Sequence, residues 1–324
     1  MGHQIPTINY RISIILVAYL LDLIFGDPQW NWHPVRIIGR LIIKLEAVLN
    51  KVRFNKWLSG LLLVILVTGI TVICVFLILK ISRLIHPSLY FVVSVLLIYF
   101  ALAVRSLAVE AGKVYKALSR SDIIQARKNL SMIVARDTQV LDQPQVIRAT
   151  VETVAESTMD GIISPLFYVF LGGPVLLWAY KAINTLDSMV GYRNDKYIIF
   201  GRASAKIDAV LNFIPAKITC LYLLIAGYCC GKYHKSSLSW LVRYIFKGKA
   251  YNGEATEAVM ASALGVRLGG INFYNSTQVQ KNFIGDNVHP LKIMHIKDSI
   301  KIAYISSGLS VATGIFFVWL TGRR

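Results

Sequence analysis

LSGLLLVILVTGITVICVFLIL, Leu58 to Leu79, is a stretch of 22 residues without a single charge. A helix of about 20 apolar residues covers a hydrocarbon core about 30 Å thick, so this stretch is long enough to cross a bilayer. IAYISSGLSVATGIFFVWL, Ile302 to Leu320, is a second such run of 19 residues, followed by Arg323 and Arg324 as an interfacial stop. Ser88 to Val104 gives 17 uncharged residues between His86-Pro87 and Arg105, near the lower limit for a perpendicular helix. Ile12 to Phe25 is shorter and holds Asp22; lacking a small-residue cleavage site, it reads as a retained first span and not as a signal peptide. Spans are therefore expected at 12–25, 58–79, 88–104 and 302–320. The fold class that follows is all-α: a polytopic membrane protein of four to six transmembrane helices, one integral membrane domain, with a large cytoplasmic helical region.

Two further apolar runs admit either a crossing or a non-crossing reading. Residues 162–180 are uncharged, but Pro165 and Gly172-Gly173-Pro174 interrupt them where a helix must bend or break. Residues 209–230 contain Pro215 and Lys217, and only 13 uncharged residues follow the lysine. If both cross, six spans divide the Lys and Arg residues 24 to 11; if neither crosses, four spans divide them 30 to 5. Positive charge collects on the cytoplasmic side, so the distribution leans toward four, with both termini on the same side.

Composition agrees with the membrane reading: 55% of residues are hydrophobic and 16% charged, unlike a soluble globule. The net charge of +18 is spread over every loop and not clustered with aromatics, which argues against nucleic acid and for membrane orientation and anionic substrates. Cys74, Cys220, Cys229 and Cys230 lie in apolar runs without metal-ligand spacing, and are expected in the core.

The residues that carry chemistry concentrate between Ala135 and Thr219. Asp142 is a good N-cap with Pro144 in the first turn, and Val146, Ile147, Val151 and Val154 give a helical apolar stripe, so a helix is expected from about Gln143. On it Glu152, Glu156 and Asp160 follow at i, i+4 and i+8, on one face. The plain alternative is a solvated face in which Arg148 pairs with Glu152 at i, i+4. Against it stands the scarcity of acids, 17 in all, of which three stack where like charges repel. A compensating hard cation such as Mg²⁺ suits a site with carboxylates and no sulfur or imidazole nearby. Farther on, NTLDSMVGYRN from Asn184 to Asn194 is dense in polar side chains, and function and an ordinary polar turn weigh equally there. Weaker still are Gly265 to Gly270, which lack a P-loop pattern and read first as a helix-terminating glycine, and His33, read first as a structural hydrogen-bonder.

These motifs together resemble the CobD/CbiB family, adenosylcobinamide-phosphate synthases of cobalamin biosynthesis. The resemblance rests on Leu21-Asp22 with Phe25-Gly26-Asp27-Pro28, His33-Pro34-Val35-Arg36 with Gly39-Arg40, and Arg136-Asp137-Thr138. It continues in VETVAESTMDGIISPLFY from Val151 to Tyr168, NTLDSMVGYRN, Phe200-Gly201 through Asp208, Asn212, Ile214-Pro215-Ala216-Lys217, and ALGVRLGG from Ala263 to Gly270. It covers nearly the whole chain. The sequence departs from the family pattern at Ser157, at Ala209, and in Asn252 to Glu257, where a Trp-Pro is usual; a role for those positions is thereby in doubt.

The resemblance implies condensation of adenosylcobyric acid with (R)-1-aminopropan-2-ol or its O-phosphate, forming an amide with ATP consumed. Amide formation from a carboxylate and an ammonium needs activation, for which an acyl phosphate with Mg²⁺ on the phosphates is the plausible route. On that basis Glu152, Glu156, Asp160 and Asp187 are the expected catalytic residues, the first three also as metal ligands. Arg136, Asp137, Asn184, Arg193, Asn194, His33 and Arg36 are the expected substrate-binding residues. The implied partners are the corrinoid, the amino alcohol, the lipid bilayer and other enzymes of cobalamin assembly; the implied place is the inner membrane, with the main loops cytoplasmic. Two rivals remain: a transporter of anionic solutes, suggested by the broken apolar segments, and a non-catalytic scaffold.

Overall fold

The computed structural model describes residues 8–28, 30–51, 55–192, 195–232, 236–246, 252–274 and 277–321. These residues are mostly helical and form two compact units, each assembled from separate stretches of chain.

The first unit comprises residues 1–103, 164–213 and 311–324. It holds α1 (Ile8–Phe25), α2 (Pro34–Leu49), α3 (Lys56–Ile85) and α4 (Pro87–Tyr99), then the later helices Ser164–Val190 and Arg202–Leu211. Local signals set the starts. His33, Asn55 and His86 each accept a backbone N–H from the first turn of α2, α3 and α4, and Pro34 and Pro87 occupy first-turn positions where no N–H is needed. α3 is apolar all round, with Leu63, Val67 and Val75 buried and Leu62, Ile65, Ile73 and Phe76 outward, the pattern of a helix with protein on one side and lipid on the other.

The second unit comprises residues 104–163 and 214–310. Its first part is α5 (Val104–Ser119), α6 (Ile123–Leu130) and α7 (Gln143–Thr158), the last followed by a π-helical turn, Met159–Ile163. α8 is the Ser164–Val190 helix of the first unit and α9 its Arg202–Leu211 helix. α10 (Phe213–Cys229), α11 (Ser236–Phe246) and α12 (Asn252–Leu264) precede an antiparallel hairpin, β1 (Leu268–Tyr274) and β2 (Thr277–Ile284), and α13 (Met294–Thr321) ends the chain. The hairpin is the one departure, among the described residues, from the helical fold expected.

Five helical segments are long and apolar enough to cross a membrane: Ile8–Phe25, Lys56–Ile85, Pro87–Ser119, Gln143–Val190 and Met294–Thr321. Arg202–Leu211 with Phe213–Cys229 makes a sixth if that bent pair is one span. The protein is thus multi-pass with five or six candidate spans by length and composition, within the four to six expected. The 162–180 run lies within α8, where Gly172 and Gly173 leave helical geometry, Gly173 at φ +68°, and helix resumes at Pro174. Pro215 sits in the first turn of α10, where proline starts a helix instead of breaking it. In the third span the helix is interrupted at Phe100 to Ala103, inside the expected 88–104 segment. The cysteine expectation holds only for Cys220; Cys74 and Cys229 are exposed and Cys230 half-buried, outward on apolar helices.

Candidate functional site

In the second unit the site is built on α7. Asp142 accepts the Gln145 backbone N–H at 2.9 Å and Gln145 returns a bond to the Asp142 backbone, a full capping box with Pro144 in the first turn. The expected helix therefore starts where the sequence places it, and it aims Arg148 and Glu152 inward. Glu152 is 1% exposed. Its Oε2 pairs with Arg136 Nη2 at 2.7 Å, and its Oε1 lies 3.7 Å from Arg148 Nε.

The opposite wall is the hairpin. Gly269 and Gly270 have φ +80° and +91°, a region open to glycine, and the β1 register slips between Leu268 and Gly270. This bulge turns backbone groups toward α7. The Gly269 N–H donates to Glu152 Oε1 at 2.9 Å, and Arg148 donates to the carbonyls of Gly269 and Ile271. The buried Asn272 carbonyl accepts from Arg136 Nη1 at 2.7 Å and from Arg148 Nη2 at 3.0 Å. One carboxylate and one amide thus hold two guanidinium groups side by side.

α12 closes the cluster with Glu257, 4% exposed. Burial pushes its carboxyl up to about 8; Glu152 and Glu156 add to the rise, and Lys281 and Arg136 oppose it. Lys281 sits across the hairpin from Gly270, on the strand face that also carries Asn272. Desolvation pulls its ammonium down, but Glu257 and Tyr274 outweigh that and the net shift is upward. Arg136 behaves alike: burial alone lowers its pKa, Glu152 more than offsets this, and the group stays charged. Glu156 is exposed and packs over Gly253, one turn before Glu257 on α12. The cluster therefore offers two guanidinium groups, the Lys281 ammonium, and a carboxyl able to release and take a proton near pH 8.

Only part of the expected site comes together here. Arg136, expected from the resemblance, and Glu152, expected from the spacing, are engaged with each other; the i, i+4 pairing of Arg148 with Glu152 is present as well. Asp137 is half-buried, its backbone N–H bonded to the Phe273 carbonyl at 2.8 Å. The three-carboxylate metal site is not formed: among the described residues no three His, Cys, Asp or Glu side chains converge on a metal position. Glu152 is held by arginines, Glu156 faces outward, and the α-helical period that aligned Asp160 with them ends at Thr158, where the π-turn begins.

Asn184 and Asp187 belong to the first unit. The buried Asn184 donates to Asp208 Oδ1 at 3.4 Å, and Asn212 Nδ2 donates to Asp208 Oδ2 at 3.0 Å. Ser164 and Tyr180 hydroxyls donate to Asn212 Oδ1 at 2.7 and 3.1 Å. Asp187 is half-buried in the last turn of α8, against Gly191, where no side chain would fit. Arg193 and Asn194 lie outside the described residues. His33 makes two local bonds: Nδ1 accepts the Val35 N–H at 3.3 Å and Nε2 meets Asp27 at 2.7 Å. Glu257 and Lys281 were missed. The first falls in the stretch that departs from the family pattern, the second on an exposed strand without a motif.

Comparison with known proteins agrees with the sequence motifs. A family model described as CobD/Cbib protein matches residues 15–303. A protein of Geobacter metallireducens, "Cobalamin biosynthesis protein CobD", is 44% identical over 292 residues, 90% of this chain and 92% of that one. One of the same name from Clostridium perfringens is 41% identical over 93% of this chain and 96% of its own. "Cobalamin biosynthesis protein CbiB" of Salmonella typhi is 41% identical over 91% and 94%. No solved structure matches. With the family's motifs spread over both units and similarity running nearly end to end, the chain belongs to the CobD/CbiB family.

Proposed function

We propose that this protein works in cobalamin biosynthesis as the membrane enzyme that joins adenosylcobyric acid to (R)-1-aminopropan-2-ol or its O-phosphate, with ATP as the activating substrate. Family membership supports the pathway. The observation within the molecule that carries the chemistry is the buried Glu257, held near pH 8 beside Lys281 and the Arg136–Glu152–Arg148 cluster.

A carboxylate does not expel oxide, so the corrin acid first takes the terminal phosphoryl group of ATP, releasing ADP. The ammonium of the amino alcohol then loses a proton, its nitrogen attacks the acyl carbon, and phosphate leaves with the C–O electrons. A base works best with a pKa near the working pH, which an ordinary glutamate does not have and Glu257 does. Glu257 takes the ammonium proton in this reading. Lys281 offsets charge on phosphoryl oxygens, and the two arginines position the Glu152 carboxylate that keeps Glu257 high. Mg²⁺ belongs with the nucleotide, as is common for an ion that retains few protein ligands, and Glu156 is the exposed acid left to meet it. No step is routed through a three-carboxylate centre.

The reaction is assigned to the cell membrane with the hairpin region on the cytoplasmic side, where ATP is. Purified protein in detergent, given the corrinoid acid, the amino alcohol or its phosphate, and ATP, should form the amide, read by mass spectrometry. Activity only in sealed vesicles would favour the transporter reading, and no product in either setting the scaffold. A cysteine placed at Lys281 should resist an impermeant thiol reagent in intact cells; ready labelling would reverse the orientation.

A further inference from the structure

α2 connects two candidate spans, α1 and α3, so both of its ends are tied to the level at which a span leaves the bilayer. Four charged residues within its 16, Arg36, Arg40, Lys44 and Glu46, keep it from being a span itself. Arg36, Arg40 and Lys44 follow at i, i+4 and i+8 and are all exposed, a basic stripe within about 80° around the helix axis. The one acid of α2 does not offset it. Lys196 Nζ sits 2.8 Å from the Glu46 carboxylate, and the Tyr197 hydroxyl donates to it at 2.9 Å.

The apolar side of α2 is wider than the protein covers. Ile38 and Ile42 are buried where α2 packs on α3 and α8, and Gly39 faces the Met189 sulfur. A second apolar row, Ile37, Leu41, Leu45 and Val48, runs between that buried face and the basic stripe. Leu41 and Leu45 are half-buried, but Ile37 is exposed and Val48 is 61% exposed. An uncovered apolar row beside a row of cations is the pattern of a helix lying in the membrane surface. Its apolar side enters the acyl boundary, and its long basic side chains reach the headgroups. The approach to α2 carries indoles, which favour the same depth: Trp30 and Trp32 are exposed, and the Arg40 guanidinium stands 5.9 Å from the Trp32 ring.

We propose that α2 is an interfacial helix that binds anionic phospholipid of the membrane in which the protein sits. Ile37, Leu41, Leu45 and Val48 lie in the acyl boundary, and Arg36, Arg40 and Lys44 meet the lipid phosphates. Arg40 also donates to the Asn31 carbonyl at 2.8 Å, a neutral acceptor that leaves its charge in place. Three exposed cations and a neutralised acid select an anionic surface over a zwitterionic one. Ile43, exposed about 140° around the axis from Val48, points to water in this arrangement. The inference stands on α2 alone and is independent of the amide-forming reaction.

The test places the full-length protein in nanodiscs, its four cysteines replaced by alanine and a fluorophore attached at Val48→Cys or Ile43→Cys. Quenching is read with brominated phosphatidylglycerol, brominated phosphatidylcholine and aqueous iodide. Brominated lipid should quench the label at Val48→Cys, and iodide the label at Ile43→Cys. Phosphatidylglycerol should quench more than phosphatidylcholine at equal mole fraction, and Arg40→Gln and Lys44→Gln should each lower that preference about five-fold. The same substitutions at two exposed cations of α5 and α6, Arg120→Gln and Lys128→Gln, should leave it unchanged. If the cysteine-free protein does not fold, Trp32→Phe in the native background gives the same readout, as a loss of tryptophan emission quenched by brominated phosphatidylglycerol. Iodide quenching at both labelled positions means a solvated helix and overturns the proposal. Protection of Val48→Cys from lipid and iodide alike means a protein cover, a second copy if the particle mass doubles, and overturns it too. Equal quenching by the two lipids, insensitive to Arg40→Gln and Lys44→Gln, overturns the anionic assignment.

Discussion

Glu152→Gln removes one charge from the α7 cluster and leaves the side-chain shape intact. In the native protein Glu152 is 1% exposed and faces two guanidinium groups, Arg136 at 2.7 Å and Arg148 at 3.7 Å. Taking away the anion leaves two buried cations side by side, and removal of one partner from a buried pair costs about 3–5 kcal/mol. The low end applies, because Glu257 stands nearby. Its carboxyl is held up first by burial and then by the charge of Glu152, so in the variant it ionises more readily and offsets part of the loss. About 3 kcal/mol corresponds to roughly 6–12 °C in Tm for a unit of 150–250 residues. Unfolding followed by tryptophan fluorescence at fixed scan rate, in one detergent, measures it. The pH dependence is a second signature. As pH rises through about 8 Glu257 ionises, which repels Glu152 in the native protein and supplies a carboxylate in the variant, so the Tm gap should narrow. A Tm within about 2 °C of the native value at pH 6.5, or a gap that widens with pH, would refute the assignment of Glu152 as the shared counter-ion.

Glu257→Gln should lower kcat by roughly 10²–10⁴-fold and abolish a rise in rate as pH climbs through about 8; a variant that keeps the native pH profile rules out Glu257 as the base. The stability arm has the opposite sign. A carboxyl raised from 4.5 to about 8 makes the native protein lose stability as pH rises across that interval, and the Gln variant should lack that loss in thermal scans. Glu156→Gln, at an exposed position, should change stability by no more than about 0.5 kcal/mol yet need more Mg²⁺ for half-maximal turnover; normal turnover at limiting Mg²⁺ returns Glu156 to a solvated face. Gly270→Ala places a Cβ about 2.9 Å from Arg148 Nη1 at a backbone φ of +91°, and should cost about 1–3 kcal/mol; an unchanged Tm would mean the bulge is not holding the arginine.

What the sequence made legible follows from the range of the signals. Uncharged run length and capping are local, so α3 and α7 start within a few residues of expectation, and the pairing of Arg148 with Glu152 was available from i, i+4 spacing alone. The fate of Glu152, Glu156 and Asp160 was not. A stripe at i, i+4, i+8 says which side chains share a face, but not whether that face meets solvent, a metal or a guanidinium from a distant loop. Arg136 reaches Glu152, and Asn272 reaches Arg136, only because the loop before α7 pairs with β1, as in the bond from the Asp137 N–H to the Phe273 carbonyl. Glu257 carried no local mark: its significance comes from burial beside α7. The two ambiguous apolar runs are helical for a similar reason, since Pro215 starts α10 and the Gly172-Gly173 kink leaves helix on both sides.

The Gly269 bulge puts main-chain atoms where most sites put side chains. Glu152 and Arg148 both bond the peptide at this corner, so part of their specificity has no codon of its own. A library of side-chain substitutions across Leu268 to Asn272 would report steric tolerance at the glycines and leave these contacts untested. They can be removed singly only by editing the peptide link, for instance an ester in place of the amide at Gly269, which deletes the N–H given to Glu152 and keeps every side chain. Relatives could accordingly diverge along this strand and still preserve the same recognition surface, provided the two glycines remain free to turn their amides inward.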